Sequence, residues 1–140
     1  MAITAAFCNS YKQELFSGVH TSAHTYKIAL YPSTATLSKA TTTYNSTGEC
    51  ANGSGYTTGG ATLTGFTTSL DTDTAILDFT TDPTWTTATI TARGALIYNS
   101  SVSNKAVAVI DFGSDITSTA DTFTVTFPAA YAATGLLRIA

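Results

Sequence analysis

The sequence is poor in charge. Only 11% of its 140 residues are Asp, Glu, Lys or Arg, compared with about a quarter in an average soluble domain. The six basic residues are scattered along the chain, and the formal net charge is -3. Nucleic-acid binding needs clustered Lys and Arg to displace counterions from phosphates. We therefore expect no direct nucleic-acid partner.

Long apolar runs, cysteine motifs and a secretion signal are missing as well. No stretch approaches the roughly 20 apolar residues of a membrane-spanning helix, and the first residues lack the basic start of a signal peptide. The two cysteines, Cys8 and Cys50, do not have the spacing of metal ligands. We expect no membrane partner, and two reduced thiols rather than a disulfide.

Motifs of catalysis and cofactor binding are also lacking. There is no Gly-x-Ser-x-Gly, and the glycines of 52–60 are not followed by the Lys-Ser/Thr of a phosphate loop. His20 and His24 lie in a segment rich in Gly, Ser and Thr, which favours solvated or hydrogen-bonded loop histidines over a metal pair. Asp71, Asp73 and Asp78 lack the glycine and distal glutamate of a calcium loop. We expect no enzyme activity, no cofactor and no metal.

Threonine, in contrast, makes up about a fifth of the chain. Its β-branched side chain favours strands, and its hydroxyl keeps an outward face hydrated. A surface made soluble by hydroxyls has weak self-repulsion, which suits a protein that packs against copies of itself or a partner. The same composition fits an ordinary threonine-rich β-domain, so both interpretations stay open at this point.

The most informative stretch, 85–113, predicts two strands joined by a polar turn. Segment 99–104 is rich in Asn and Ser, which favour turns. The run 105–112 is apolar on both faces, as expected of a strand that is covered on both sides. We place this hairpin at the centre of the fold.

Further strands are predicted from the apolar alternation along the chain. They span Tyr26–Tyr31, 61–70, Thr74–Phe79, 121–127 and 136–139, and segment 113–120 is predicted to be a connection. The pattern predicts one all-β domain over 1–140, an antiparallel β-sandwich that is jelly-roll-like.

The N-terminal part, 1–25, is predicted to contain the one helix. Phe7, Tyr11 and Leu15 recur at i, i+4 and i+8 within 4–17 and form one apolar stripe. The helix either docks on the sandwich or acts as an arm that contacts a neighbouring subunit. In both cases these three residues are candidate interface residues.

The segment 33–60 is long, polar and without clear periodicity. Loops of this length in a compact domain are usually functional or disordered. We expect this loop to contact neighbouring subunits, with Tyr44 and Tyr56 as candidate interface residues.

Arg93 and Asp111 are predicted to form a structural ion pair. If Tyr98 pairs with Lys105 across the hairpin, Arg93 falls opposite Ile110 and next to Asp111. We expect the loss of this pair to lower stability rather than to abolish an activity.

Several segments resemble a group of small virion structural proteins of tailed bacteriophages. The strongest matches are Arg93-Gly-Ala-x-x-Tyr98 and the run 104–113, within a similarity that covers 86–99 and 123–128. Weaker similarity extends to 26–31 and 55–60. These segments resemble mainly the C-terminal half of the family.

The resemblance implies a non-enzymatic virion component, assembled in the bacterial host cytoplasm. The first expectation is a capsid decoration or cement protein on the capsid surface, with the major capsid protein and itself as partners and a trimer favoured. One alternative is a tail or head-to-tail connector component. Another is a carbohydrate-binding surface module, in which Tyr31, Tyr44 and Tyr56 stack on sugars.

Overall fold

The chain folds into two antiparallel β-sheets and one short helix. The computed structural model describes residues 2–131 and 133–140. The described elements are β1 (Ala6–Phe7), α1 (Asn9–Phe16), β2 (Tyr26–Tyr31), β3 (Ala61–Thr62), β4 (Phe66–Asp71), β5 (Thr74–Phe79), β6 (Thr84–Asn99), β7 (Lys105–Thr124) and β8 (Leu137–Ile139). The large sheet has the order β1-β7-β6-β2-β3, and the small sheet has the order β4-β5-β8. This architecture agrees with the all-β sandwich predicted from the sequence.

The predicted hairpin forms β6 and β7 at the centre of the large sheet. Its assumed register is wrong by one residue, because Asn99 rather than Tyr98 pairs with Lys105. The register shift between Ile97 and Tyr98 adds a further residue, so that Leu96 pairs with Val109. Residues 106–109 are all buried, which confirms that this part of the strand is covered on both faces.

The predicted connection 113–120 is wrong, because these residues belong to β7. The strand continues to Thr124 and pairs with the first half of β6. Gly113 and Ala120 have positive φ values of 83° and 47° and lie at irregularities of the ladder. The Gly and Ser residues that indicate a loop in the sequence therefore mark bulges within a strand.

The alternation predicted for 121–127 is confirmed by burial, although the ladder ends at Thr124. Phe123, Val125 and Phe127 are buried, and the threonines between them are exposed. Trp85 also enters the core, and its ring centroid lies 6.0 Å from that of Phe123.

The small sheet packs on both of its faces. On the inner face of β5, Leu77 and Phe79 contact the core, whereas Ala75 near the start of the strand is exposed. The opposite face is covered as well, since Ile76 is 2% exposed. A Cβ added to Gly135 would lie 2.6 Å from Ile76 Cγ2, so the chain before β8 runs closely over this outer face.

Aromatic side chains join the two sheets. The ring of Tyr26 in β2 lies 5.4 Å from that of Phe66 and 5.8 Å from that of Phe79, both in the small sheet. Phe127 extends the cluster, with its ring 6.3 Å from Phe79. Each buried large apolar side chain contributes roughly 1.5–3 kcal/mol to folding before entropic costs.

The N-terminal segment docks on the sandwich. The helix begins at Asn9 and not near Thr4, because Phe7 lies in β1 and pairs with Ala108. Tyr11 is buried at 3% exposure. The helix, the only one in the described part of the chain, has eight residues and is too short to cross a membrane.

The long loop is tied to both central strands of the large sheet. Thr42 and Ser54 accept backbone hydrogen bonds from Ala106 and Thr89 at 2.9 and 2.8 Å. Gly60 is required where the loop meets β2, since a Cβ there would lie 1.8 Å from the backbone oxygen of Ile28. The loop therefore packs as part of the fold.

Candidate functional site

Arg93 and Asp111 form an ion pair at the largest bulge of the central hairpin. Arg93 Nε donates to Asp111 Oδ1 at 2.9 Å, and the same oxygen accepts the Gly113 N–H at 2.9 Å. Ala92 pairs with Ile116 and Gly94 pairs with Asp111, so four residues of β7 bulge opposite Arg93 alone. The ion pair therefore links β6 to β7 at one end of the bulge.

The hydrogen bond from Arg93 lowers the pKa of Asp111, and the bond to the Gly113 N–H adds to this effect. In turn, the same bond raises the pKa of Arg93. Both side chains are partly open to solvent, at 34% and 25% exposure. Exposed pairs of this kind are screened by salt and contribute modestly to stability.

Glu49 is a shared hydrogen-bond acceptor that no pattern in the sequence indicates. Its Oε2 accepts the Tyr44 hydroxyl at 2.6 Å, and its Oε1 accepts the Tyr56 hydroxyl at 2.5 Å and the Gly59 N–H at 2.8 Å. The Tyr56 oxygen also accepts the Leu30 N–H at 2.9 Å. Burial and the bond to Glu49 raise the pKa of Tyr56. This network holds the long loop against β2.

The loop tyrosines consequently point into the fold. Tyr56 is 2% exposed, and Tyr44 is half-buried with its ring stacked 4.4 Å from that of Tyr98. Tyr31 is also 2% exposed. Of the candidate interface residues, the structure thus places Tyr56 inside the protein, together with Tyr11 of the helix stripe, and leaves Phe7, Leu15 and Tyr44 half-buried.

Two histidines share one buried amide. Asn99 Nδ2 donates to Nδ1 of His20 at 3.1 Å and to Nδ1 of His24 at 2.9 Å. The Asn99 side chain is fully buried, and its Oδ1 accepts the Ser101 N–H at 3.1 Å, which fixes the amide orientation. Both imidazoles therefore act as acceptors at Nδ1. The prediction of hydrogen-bonded histidines is confirmed.

This cluster fastens the helix to the tip of the central hairpin. His20 Nε2 lies 2.6 Å from Glu14 Oε2, and Lys105 Nζ lies 3.4 Å from Glu14 Oε1. Glu14 belongs to α1, whereas Lys105 begins β7. Within residues 2–131 and 133–140, no group of three or more His, Cys, Asp or Glu side chains is arranged to hold a metal ion.

Both cysteines are free thiols, as expected from the sequence. Burial raises the pKa of Cys8 to about 11 and that of Cys50 to about 12. Because the thiolate is the nucleophilic form, both thiols are held in their unreactive state at neutral pH.

Asp78 is a nearly buried carboxylate at a cleft of about 310 Å³ beside the C-terminal segment. It is 7% exposed, and its Oδ1 accepts the Phe79 N–H at 2.7 Å. Burial, with a smaller contribution from the charge of Asp82, raises the pKa of Asp78. The Asp82 carboxylate accepts the Phe127 N–H at 2.9 Å and thus holds the end of the last buried stretch.

An apolar groove lies between the helix and the small sheet. It has a volume of about 170 Å³, and its walls include Phe7, Tyr11 and Leu15 on one side and Ala75, Leu77 and Ile139 on the other. Two large apolar side chains, one next to Leu15 in sequence and one in β8, are exposed to solvent. Phe16, which follows Leu15, is 97% exposed, and Ile139 is 54% exposed.

The groove continues into a row of apolar side chains across the small sheet. Leu70 pairs with Ala75, and Ala75 pairs with Ile139, so the three side chains lie side by side on one face. Leu70 is 72% exposed. We call Leu70, Ala75 and Ile139 the apolar row. The sequence did not reveal it, because β4 shows only weak alternation.

Comparisons with family models, with curated proteins and with solved structures found no match to this chain.

Proposed function

We propose that this chain is a structural protein of a tailed-bacteriophage virion, and that it binds the capsid shell as a decoration or cement protein. Its partners in this role are the major capsid protein and further copies of itself. The proposal draws on the resemblance of 86–99 and 104–113 to phage virion proteins. In the fold these segments lie in and around the central hairpin.

The observation that carries the proposal is the exposed apolar groove on a surface with few charges. Ile139 in the groove wall and Phe16, which follows Leu15 of that wall in sequence, are both more than half exposed, although burial of such side chains is favourable by roughly 25 cal/mol per Å². Exposed apolar patches of this kind mark sites of protein contact. A contact here also desolvates few charges, since charged residues are only 11% of the chain.

Cementing requires modest contacts repeated many times. A decoration protein occupies equivalent positions over the shell, and linked copies add their contacts by avidity. A small sandwich with an apolar groove on one side is suited to this arrangement. The hydroxyl-rich remainder of its surface, about a fifth threonine overall, stays hydrated.

Heat stability of the shell tests the role. Empty shells assembled with this protein are expected to withstand a higher temperature than shells assembled without it, as followed by light scattering. Shells of equal heat stability in the two preparations would exclude cementing.

Two variants locate the contact. Phe16→Ser and Ile139→Ser are expected to reduce binding of the protein to shells in co-sedimentation while leaving its own unfolding temperature close to the wild-type value. Thr119→Ser, an exposed change on β7, is the control and is expected to bind normally. Unchanged binding of both variants would exclude the groove and the adjoining end of α1 as the contact.

The connector or tail alternative is separated from the decoration role by copy number. A shell position implies on the order of hundreds of copies, whereas a connector ring implies about a dozen, because each location imposes its own symmetry. The carbohydrate alternative is weakened, because Tyr31 and Tyr56 are buried within the fold. The jelly-roll connectivity stays a prediction. The trimer implied by the resemblance is tested below against another mode of self-association.

A further inference from the structure

The free edges of the two sheets differ in how they are protected. Unpaired strand edges invite pairing with another chain, and proteins usually blunt them with short strands, charges, proline or bulges. Strands β1 and β3 have two residues each and β8 has three. The part of β7 beyond its pairing with β1 contains Asp115 and Asp121 and the bulges at Gly113 and Ala120.

Strand β4 lacks these protections. It has six residues, Phe66-Thr-Thr-Ser-Leu-Asp71, and pairs with β5 in a register without any shift. It contains no Lys, Arg, Pro or Gly, and its only charge is at the last position. Among the described strands, it is the edge strand that combines length, regular pairing and an uncharged centre.

The side chains of β4 also leave apolar surface open. Phe66, Thr68 and Leu70 share the face that pairs with Phe79, Leu77 and Ala75 of β5. Phe66 is only half-buried, and Leu70 is 72% exposed. A strand added beside β4 would cover both side chains.

We propose that β4 pairs with β4 of a second copy of this chain, antiparallel and centred on Thr68. The two small sheets then form one six-stranded sheet, β8-β5-β4-β4-β5-β8, about a two-fold axis perpendicular to the sheet. Phe66 lies opposite Leu70 of the second copy, and Thr68 lies opposite Thr68 of the second copy. The partner is a second copy because β4 complements itself in this register.

In this register apolar side chains lie opposite each other and like charges stay apart. Residues directly opposite each other in an antiparallel pair lie on the same face, so a two-fold arrangement joins Phe66 with Leu70 twice. Asp71 falls opposite Gly65 and away from Asp71 of the second copy, so the pairing brings no like charges together. A two-fold contact is also closed, because each copy uses its one β4 edge.

A charge at the two-fold axis tests the pairing. In wild type, sedimentation velocity is expected to show a monomer–dimer equilibrium that shifts towards dimer with concentration. Thr68 is exposed in the single chain, so Thr68→Lys is expected to fold normally. It places two like charges opposite each other at the axis and is expected to give monomer. Thr122→Lys, an exposed change of the same charge on β7, is the control and is expected to dimerise like wild type.

Mixing oppositely charged variants separates lost pairing from lost folding. Thr68→Lys and Thr68→Glu are each expected to be monomeric alone and to form a dimer when mixed, since opposite charges then meet at the axis. In that mixture, hydrogen exchange of the β4 amides is expected to slow relative to either variant alone.

Three results would overturn the inference. They are a wild-type monomer at all concentrations, a dimer that Thr68→Lys does not weaken, and a closed trimer, which antiparallel β4 pairing cannot build. The inference goes beyond the role in the virion and does not rest on it, because the test uses the purified protein without any shell.

Discussion

Asp78 shows how one buried carboxyl links stability to pH. Its folded-state pKa is raised by burial, so the folded state binds the Asp78 proton more tightly than the unfolded state does. Ionisation of Asp78 therefore opposes folding above the folded-state pKa. This cost disappears as the pH falls below the unfolded-state pKa, which is about 3.9 for aspartate.

Asp78→Asn is expected to stabilise the protein at neutral pH, because the amide keeps an oxygen to accept the Phe79 N–H and carries no charge. The gain in the free energy of unfolding should shrink as the pH is lowered towards 4, as measured by urea unfolding over a pH series. Asp73→Asn, an exposed change in the β4–β5 turn, is the control for the loss of one charge. An Asp78→Asn variant that is less stable than wild type at neutral pH would contradict this account of Asp78.

The Arg93–Asp111 pair changes the stability of the protein with pH in the opposite direction to Asp78. The lowered pKa of Asp111 means that the pair adds stability above the unfolded-state pKa of aspartate. That contribution is lost as the pH falls through the folded-state value. The effect should be small and sensitive to salt, because both side chains are partly exposed.

Arg93→Ala is expected to lower the unfolding temperature at neutral pH, and the difference from wild type should narrow in acid and at high salt. Thermal unfolding by circular dichroism measures both trends. Lys12→Ala removes an exposed basic residue of the helix and is expected to have little effect. If Arg93→Ala and Lys12→Ala had the same unfolding temperature at every pH, the Arg93–Asp111 pair would have no structural role.

Single residues were the hardest features to predict. The Arg93–Asp111 hypothesis used two residues on neighbouring strands, for which a register can be guessed from the turn. Glu49 is different, because its partners Tyr44, Tyr56 and Gly59 lie within a loop that has no periodicity. Only the folded path of that loop brings them to one carboxylate.

At the scale of elements, the helix is held by both its apolar stripe and the Asn99 cluster. Asn99 donates to two imidazoles and is fully buried. A side chain that cannot donate leaves both imidazole acceptors unpaired, and each buried unpaired group costs about 1–3 kcal/mol.

Asn99→Leu is expected to destabilise the protein by about 1–3 kcal/mol or more, and to speed hydrogen exchange at the amides of α1. The amides of β4 and β5, which belong to the other sheet, serve as the internal reference. Mass spectrometry of exchanged peptides separates the two regions. If hydrogen exchange became faster to the same extent in both regions, the Asn99 cluster would not stabilise the helix locally.

The elements were predictable where the apolar pattern was regular. The runs Tyr26–Tyr31 and Thr74–Phe79 are strands with the predicted bounds. The ends of β6 and β7 were not predictable, because Gly113 and Ala120 form bulges within a continuous ladder. A glycine beside a serine has the same local pattern in a bulge as in a loop, and only pairing with the neighbouring strand separates the two.

At the scale of the whole molecule, three of the exposed large apolar side chains, Phe16, Leu70 and Ile139, lie on the helix and the small sheet. The groove between α1 and the small sheet carries the proposed shell contact, and the free edge of β4 carries the proposed pairing with a second copy. The two surfaces adjoin, because Thr68 of β4 also lines the groove.

The proposed function is tested most directly by whether, and where, this chain lies in a phage particle. A map of whole particles by electron cryomicroscopy, even at low resolution, is expected to place this fold on the outer face of the capsid shell, with the groove beside α1 turned towards the major capsid protein. A map that places the fold in the tail or the connector, or that leaves the shell surface bare, would contradict the decoration role.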